Sequence, residues 1–452
     1  LADAVWAGRP PILPQKIWEL PVSCAGQGRE EKLAVLREKI QESGANSHLI
    51  TTLDDIAWLF NLRGGDIPQN PVFFSYCLLT PEGTSLFVYG EALSPELRRA
   101  LEEDGIRIRP YAAITEALGD LDESCRLLLD TSQVSYSLKK AIPKEVRRVF
   151  GPNPSTLLKS IKNPTEIAGL REANRKDGVA MVRFLCWLEE TVGKEPVTEM
   201  SAAEYLDSCR RSQENFLDLS FDTIAGYGPH GAIVHYEATP ETDCPLQPEG
   251  FLLVDSGGHY LEGTTDITRT IPLGLLTPEM KTRYTQVLQC MLHLAAARFP
   301  HGCRGENLDI LARLPLWEEG LDFRHGTGHG VGFLLNVHEG PNRFHWNQHG
   351  EKSGCVLEPG MVTTDEPGYY EDGKFGIRIE NDLLCVEGPQ TSYGSFLAFE
   401  PLTLCPISTA AVEPSLLTQR DKDLLNQYHQ RVWEELSGLL PEKEKAWLHH
   451  AT

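Results

Sequence analysis

Leu33, Leu36 and Ile40 recur at i, i+3 and i+7 and are followed by Gly44, a spacing that predicts an amphipathic helix with a stop. A short apolar run (His48–Thr51) then predicts a strand, and Asp54–Leu62 a helix. Val72–Leu79 and Ser85–Tyr89 flank Pro81-Glu82-Gly83, a strand–turn–strand signal. Ser94-Pro95 opens a helix running to Glu103, and Leu127–Leu129 is a further strand. Helices alternating with strands over about 120 residues argue for a compact α/β domain. It holds no cluster of catalytic residue types.

A boundary is predicted near Pro152–Pro154. Beyond it, Asn163-Pro164-Thr165-Glu166 has the order N-cap, Pro at N1 and Glu at N3, opening a long helix to about Val192. Another helix covers Ala202–Arg211. From Phe221 to Glu400 the texture becomes short β-like runs, Gly-rich turns and most of the histidines. The tail Thr418–Leu440 is helical, with Leu425, Tyr428, Val432 and Leu436 forming a stripe that packs onto its own domain. Three prolines within Ala7–Pro14 give the opening the character of an extended linker. Because the first residue is Leu1 and not Met, that linker is read as a tether from a domain absent here. The expected division is a linker over 1–29, a non-catalytic α/β domain over 30–155, and a catalytic domain over 156–452 with a C-terminal helical extension.

Composition narrows the chemistry. Of 452 residues, 42 are Lys or Arg and 64 are Asp or Glu, a formal charge of −22. So acidic a chain is poorly suited to nucleic acid, which needs clustered cations. There is no run of about 18 apolar residues to span a membrane and no signal-peptide pattern. Eleven cysteines, an odd number without a C-x-x-C pair, fit neither a disulfide framework nor a structural zinc site. They read as reduced, apolar and non-catalytic, and the expected compartment is the cytoplasm.

The segment Phe251–Arg269 holds two carboxylates, Asp255 and Asp266, eleven residues apart. On a helix they would be about 16 Å apart along the axis, too far to share an ion. Gly257, Gly258 and Gly263 disfavour a helix in any case. On two strands joined through glycine turns the aspartates can face each other, with Thr264, Asp266 and Thr268 on one side and Thr265, Ile267 and Arg269 on the other. Isolated aspartates more often close turns or cap helices.

His325-Gly-Thr-Gly-His329-Gly-Val-Gly332 spaces two histidines at i, i+4, but four glycines in eight residues oppose a helix and suggest close backbone approach. Lone histidines such as His259, His293, His301, His345, His349 and His429 are read as ordinary core or surface residues. His329 stands out because Asp365-Glu366-Pro367-Gly368 and Gly376-Ile-Arg378-Ile-Glu380-Asn381 follow it. Ile377 and Ile379 alternate with Arg378 and Glu380, which a solvent-facing strand would also explain. Together the segments offer two Asp, one His and two Glu, an oxygen-rich set suited to Mn²⁺, with Co²⁺, Fe²⁺ or Zn²⁺ also able to occupy it. Four carboxylates over-neutralise one divalent ion, whereas two ions balance them.

These residues, in order and with these flanks, resemble the pita-bread metallopeptidases, most closely their aminopeptidase P (Xaa-Pro aminopeptidase) branch. Gly228-Pro-His-Gly-Ala-Ile-Val-His235-Tyr236 and Asn336-Val-His338-Glu-Gly-Pro341 also match, and the resemblance covers essentially the whole chain. It implies an α/β (α+β) architecture, with a pita-bread catalytic domain preceded by a smaller creatinase-N-terminal-like domain and lacking the family's first domain. It implies Asp255, Asp266, His329, Glu366 and Glu380 as metal ligands, Asp266 and Glu380 bridging two ions. His235 and His338 would line the pocket and stabilise the tetrahedral intermediate. Glu366 would double as proton acceptor, His325 would serve substrate protonation or proline contact, and Arg378 would orient a ligand. His230 stands where relatives carry a smaller or amide residue, and Phe344–Gly350 reads as an inserted loop.

The implied reaction is metal-dependent hydrolysis of an N-terminal Xaa–Pro bond in small peptides, by a homodimer without nucleic-acid or membrane partners. A bond to proline lacks the N–H that many peptidases hold and has fixed φ. A dimetal site acts on the carbonyl instead. Prolidase, specific for Xaa–Pro dipeptides, shares the ligand set. A non-catalytic pita-bread binding module is a further alternative, opposed by the intact ligands and the charge.

Overall fold

The computed structural model describes residues 5–346 and 354–452, and divides into two compact units between Lys159 and Ser160. Residues 347–350 of the expected insert, with His349, lie outside the described residues.

The first unit is built on a six-stranded sheet in the order Ile106–Pro110, Gly83–Val88, Ser75–Thr80, Ser47–Ile50, Arg126–Leu129, Arg147–Phe150. The three central strands pair antiparallel and the outer pairings are parallel. Leu49, Leu78, Phe87, Leu127 and Leu129 pack with Leu118 and Leu138 in one core. Arginines 107, 109, 147 and 148 occupy both edge strands, where charge discourages edge-to-edge association. The opening segment is more structured than its prolines suggest. Trp18–Glu19 pairs with Leu62–Arg63, and Ile17 and Leu20 are buried beside it.

In the second unit the helix Pro164–Thr191 starts as the N-cap signal predicts. The Asn163 side chain accepts from the N–H groups of Thr165 and Glu166, and the Glu166 carboxylate accepts from the Asn163 N–H. The stretch read as short β-like runs also contains two helices, Pro278–Ala295 and Gly305–Trp317. The first has an overlooked Thr277 N-cap and buries Tyr284, Leu288, Met291 and Leu292. The second begins at Gly305 and contains Pro315, both unfavourable to helices, so tertiary packing overrides propensity. The C-terminal stripe lies on Gln419–Leu436, and a further helix, Glu442–Ala451, follows Pro441.

Among the described residues four sheets complete this unit. The largest has the order Arg298–Pro300, Gly394–Pro401, Asn381–Thr391, Val362–Asp365, Gly328–Gly330, Glu339–Phe344. A two-stranded hairpin joins Gly368–Glu371 to Phe375–Arg378. The two aspartates lie on a more elaborate element than a single hairpin. Phe251–Ser256 pairs with Ile267–Pro272 in one three-stranded sheet, while Gly258–Tyr260 and Gly263–Thr264 belong to another. The chain changes sheets at Gly257, where an added Cβ would overlap the Thr265 carbonyl and the Ser220 hydroxyl.

All eleven cysteines are free, seven buried and four half-buried. Among the described residues no helix is long and apolar enough to cross a membrane.

Candidate metal centre

Asp255 lies opposite Thr268 in the Phe251–Ser256/Ile267–Pro272 pairing. Asp266 stands just before the strand Ile267–Pro272, two positions from Thr268. The large sheet and the adjoining hairpin supply the other donors. His329 is on Gly328–Gly330, Glu366 follows Val362–Asp365, and Glu380 follows Phe375–Arg378. Ligand atoms of Asp266, His329 and Glu380 all lie within 4.8 Å of one another. His329 Nε2 is 3.4 Å from Asp266 Oδ2 and 3.6 Å from Glu366 Oε1. Ile377, Arg378, Ile379 and Glu380 are all buried, so their alternation marks two buried faces and not a solvent-facing strand.

The glycines around His329 have a spatial cause. An added Cβ at Gly328 would overlap the Thr364 carbonyl, and one at Gly330 the Glu339 carbonyl. Only a bare backbone lets the His329 strand lie this close to its neighbours.

Hydrogen bonds fix each donor. His329 Nδ1 bonds the Gly330 carbonyl at 2.9 Å, which leaves Nε2 facing the carboxylates. Thr268 donates to Glu380 Oε2 at 2.6 Å, and Thr364 to Glu366 Oε1 at 3.2 Å. Arg378 reaches Asp255 Oδ2 at 2.6 Å, Thr268 at 3.1 Å and the Tyr370 hydroxyl at 2.9 Å. The same Tyr370 hydroxyl lies 2.9 Å from His325 Nε2, linking His325 through Arg378 to Asp255. The Arg269 guanidinium grips the Glu380 carbonyl at 2.6 Å, and Asp382 accepts the Asp266 N–H at 3.3 Å.

The cluster carries more negative charge than its own cations balance. Burial, reinforced by Asp266 and Asp255, lifts the Glu366 carboxyl to about 7. Burial and neighbouring carboxylates push Glu380 well above its ordinary range, and burial raises Asp266. Burial alone would lower His329, but Asp266 and Glu366 raise it to about 9. Asp255 Oδ1 is buried without a hydrogen-bond partner among the described residues. An orphaned carboxylate oxygen, an imidazole nitrogen aimed at carboxylates and crowded acids together are the donor chemistry of divalent cations.

His338 lies beside His329, ring centroids 4.2 Å apart. Burial and His329 lower its pKa to about 4, and burial lowers that of His325 to about 4. Both are neutral imidazoles. His235 is exposed and lies near enough to act electrostatically on both. A cavity of about 620 Å³ opens here, lined by His329, His338, Pro341, Arg304 and Arg343 among others. Of the histidines read as ordinary, His259 bonds Thr264, His293 Asp421, His301 Glu358 and His429 the Ile407 N–H.

Sequence reasoning missed Tyr370, Arg269 and Asp382. Thr268 was marked by its alternation with Asp266, but nothing local distinguishes Tyr370 from Tyr369.

Family models match consecutive stretches of the chain. They are the Creatinase/Prolidase N-terminal domain over 8–166, Metallopeptidase family M24 over 168–387, and the C-terminal region of peptidase M24 over 395–452. A probable Xaa-Pro aminopeptidase P from Paracoccidioides brasiliensis is 42% identical over 472 residues, covering 100% of this chain and 76% of that protein. One from Coprinopsis cinerea is 40% identical with the same coverage. The X-prolyl aminopeptidase of Caenorhabditis elegans, described as a cytosolic enzyme with a di-nuclear active site, superposes with a TM-score of 0.94. It shares 36% identity over 99% of this chain and 74% of its own. The Xaa-Pro dipeptidase of Bacillus anthracis gives 0.65 at 26% identity, over 84% of this chain and 99% of its own.

Proposed function

The chain belongs to metallopeptidase family M24, in its Xaa-Pro aminopeptidase P branch, and from that premise we propose that it hydrolyses the bond between an N-terminal residue and a proline in second position. The architecture is the implied one, a creatinase-type α/β domain followed by a pita-bread domain. The observation that carries the reading is the convergence of acidic side chains on Nε2 of His329.

Asp255, Asp266, His329, Glu366 and Glu380 would hold two divalent ions, with Mn²⁺ the best match to an oxygen-rich donor set. When bound, such ions lower the proton affinity of water and polarise a carbonyl. The remaining roles fall to this chain's own groups. Glu366 accepts the proton of the attacking water and returns it to the departing proline nitrogen. His338 and His235 donate hydrogen bonds to the carbonyl oxygen as negative charge builds on it. His325, steadied by Tyr370, borders the proline ring, and Arg378 fixes Asp255. We place the enzyme in the cytoplasm, as a homodimer acting on small peptides.

The test is release of the N-terminal residue from Xaa-Pro substrates of two, three and more residues, with and without Mn²⁺. Metal-dependent cleavage of the longer peptides is expected, and cleavage of the dipeptide alone would convert the reading to a prolidase. Asp266→Ala should abolish turnover and metal content together. Undiminished activity in a metal-verified sample refutes the site.

A further inference from the structure

A second buried carboxylate, outside the ligand cluster, gathers the segment that carries His235. Glu199 is the first residue of helix Glu199–Arg211 and is fully buried. It accepts from the backbone N–H of Tyr227 at 2.6 Å and of Cys244 at 3.2 Å, and from the Tyr236 hydroxyl at 3.1 Å. His230 Nδ1 bonds its two oxygens at 2.9 and 3.0 Å. His230 is its only basic partner among the described residues. All four donors come from residues 227–244, a stretch with little regular structure that encloses His235.

The contacts bracket that histidine closely. Tyr236, the residue after it, is buried, stacks on the His230 ring at 4.4 Å between centroids, and is tied to Glu199. Val234, the residue before it, offers its carbonyl to Arg378 Nη2 at 3.4 Å. Gly231 lies against Gly376 so tightly that a Cβ on Gly376 would overlap the Gly231 carbonyl. One flank of His235 is therefore held from the ligand side and the other by Glu199, while the imidazole between them stays exposed. Burying a carboxylate is costly unless its oxygens are filled, and here the filling groups all belong to this one segment.

We infer, on the premise of the peptidase reading, that Glu199 with His230 and Tyr236 is a positioning device that sets where the His235 imidazole meets the substrate. It touches no reacting atom and acts through His235. Small displacements of a group that meets the transition state cost large factors in rate. Glu199→Gln places an amide NH₂ against a ring of donors and should loosen the segment, lowering kcat/KM for an Xaa-Pro tripeptide by about tenfold.

The decisive measurement is a double-mutant cycle with His235→Ala on the Mn²⁺-loaded enzyme. Glu199→Gln should cost about tenfold when His235 is present, under about twofold when it is absent, with metal stoichiometry unaltered. His230→Ala, at a half-exposed position, repeats the cycle without touching the buried carboxylate. His230→Asn, which keeps a donor where Nδ1 stood, should restore most of that loss. An equal loss in both His235 backgrounds, or none in either, overturns the inference. Failure of the wild type to cleave any Xaa-Pro peptide would instead strike the peptidase reading, so the two failures are separable.

Discussion

Arg378 gives the sharpest test of how the carboxylates are held. Its guanidinium is buried and divides its donors among Asp255, Thr268, Tyr370 and Val234. Arg378→Lys keeps the positive charge, so the ~3–5 kcal/mol penalty of an uncompensated buried carboxylate is avoided. What is lost is the fork. A single ammonium on a flexible stem cannot span Asp255 and Thr268 together while also holding Tyr370. The Asp255 contact is charge-assisted and contributes about 1.5–3 kcal/mol, and each neutral contact about 1 kcal/mol. If lysine recovers the first contact in part, about 2–3 kcal/mol remains missing, or roughly 30- to 150-fold at 1.4 kcal/mol per decade. That loss should be seen in metal affinity, where outer-sphere partners typically contribute 10- to 100-fold, and in kcat/KM at saturating metal. Calorimetric titration of the apo protein with Mn²⁺, alongside peptide release, measures both. Two equivalents bound at wild-type affinity with wild-type turnover would refute the claim that the guanidinium geometry, beyond its charge, organises the donors.

Buried neutral histidines should make stability pH-dependent. Burial lowers His48 and His429 from 6.5 to about 4, so the unfolded chain binds more protons between those values. Their contribution, at most about 3 kcal/mol each, is present above pH 6.5 and lost as pH falls towards 4. Urea midpoints at pH 7.5 and 5.0 should differ less for His429→Gln than for wild type, and an identical difference would sink the argument. Gly257→Ala should destabilise by about 3 kcal/mol, since its Cβ would meet backbone at the crossing between sheets. A melting temperature equal to wild type would show that the crossing yields easily.

The residues proposed as ligands stood out because metal chemistry demands particular side chains, and Asp255, Asp266, His329, Glu366 and Glu380 sit in short segments with distinctive glycines. Glycine at 328 and 330 reports close backbone packing, which is a sequence-visible trace of a three-dimensional constraint. The supporting groups were not legible. Tyr370 and Asp382 are ordinary residues whose roles arise from pairings between segments far apart in the chain, such as Asp382 with the Asp266 N–H. Helix Gly305–Trp317 was hidden because its Gly305 and Pro315 argue locally against what the core enforces. The helices Pro164–Thr191 and Gln419–Leu436, by contrast, carry both a cap signal and a long apolar period, so local and tertiary preferences agree.

The proposed donors come from separate segments of the second unit, Asp255 from one small sheet, Asp266 from just ahead of its strand Ile267–Pro272, His329 from the large sheet, and Glu366 and Glu380 from just beyond strands of the large sheet and its hairpin. An ion gripping all of them would act as a rivet between segments far apart in the chain, so that occupancy and foldedness would be one equilibrium viewed from two ends.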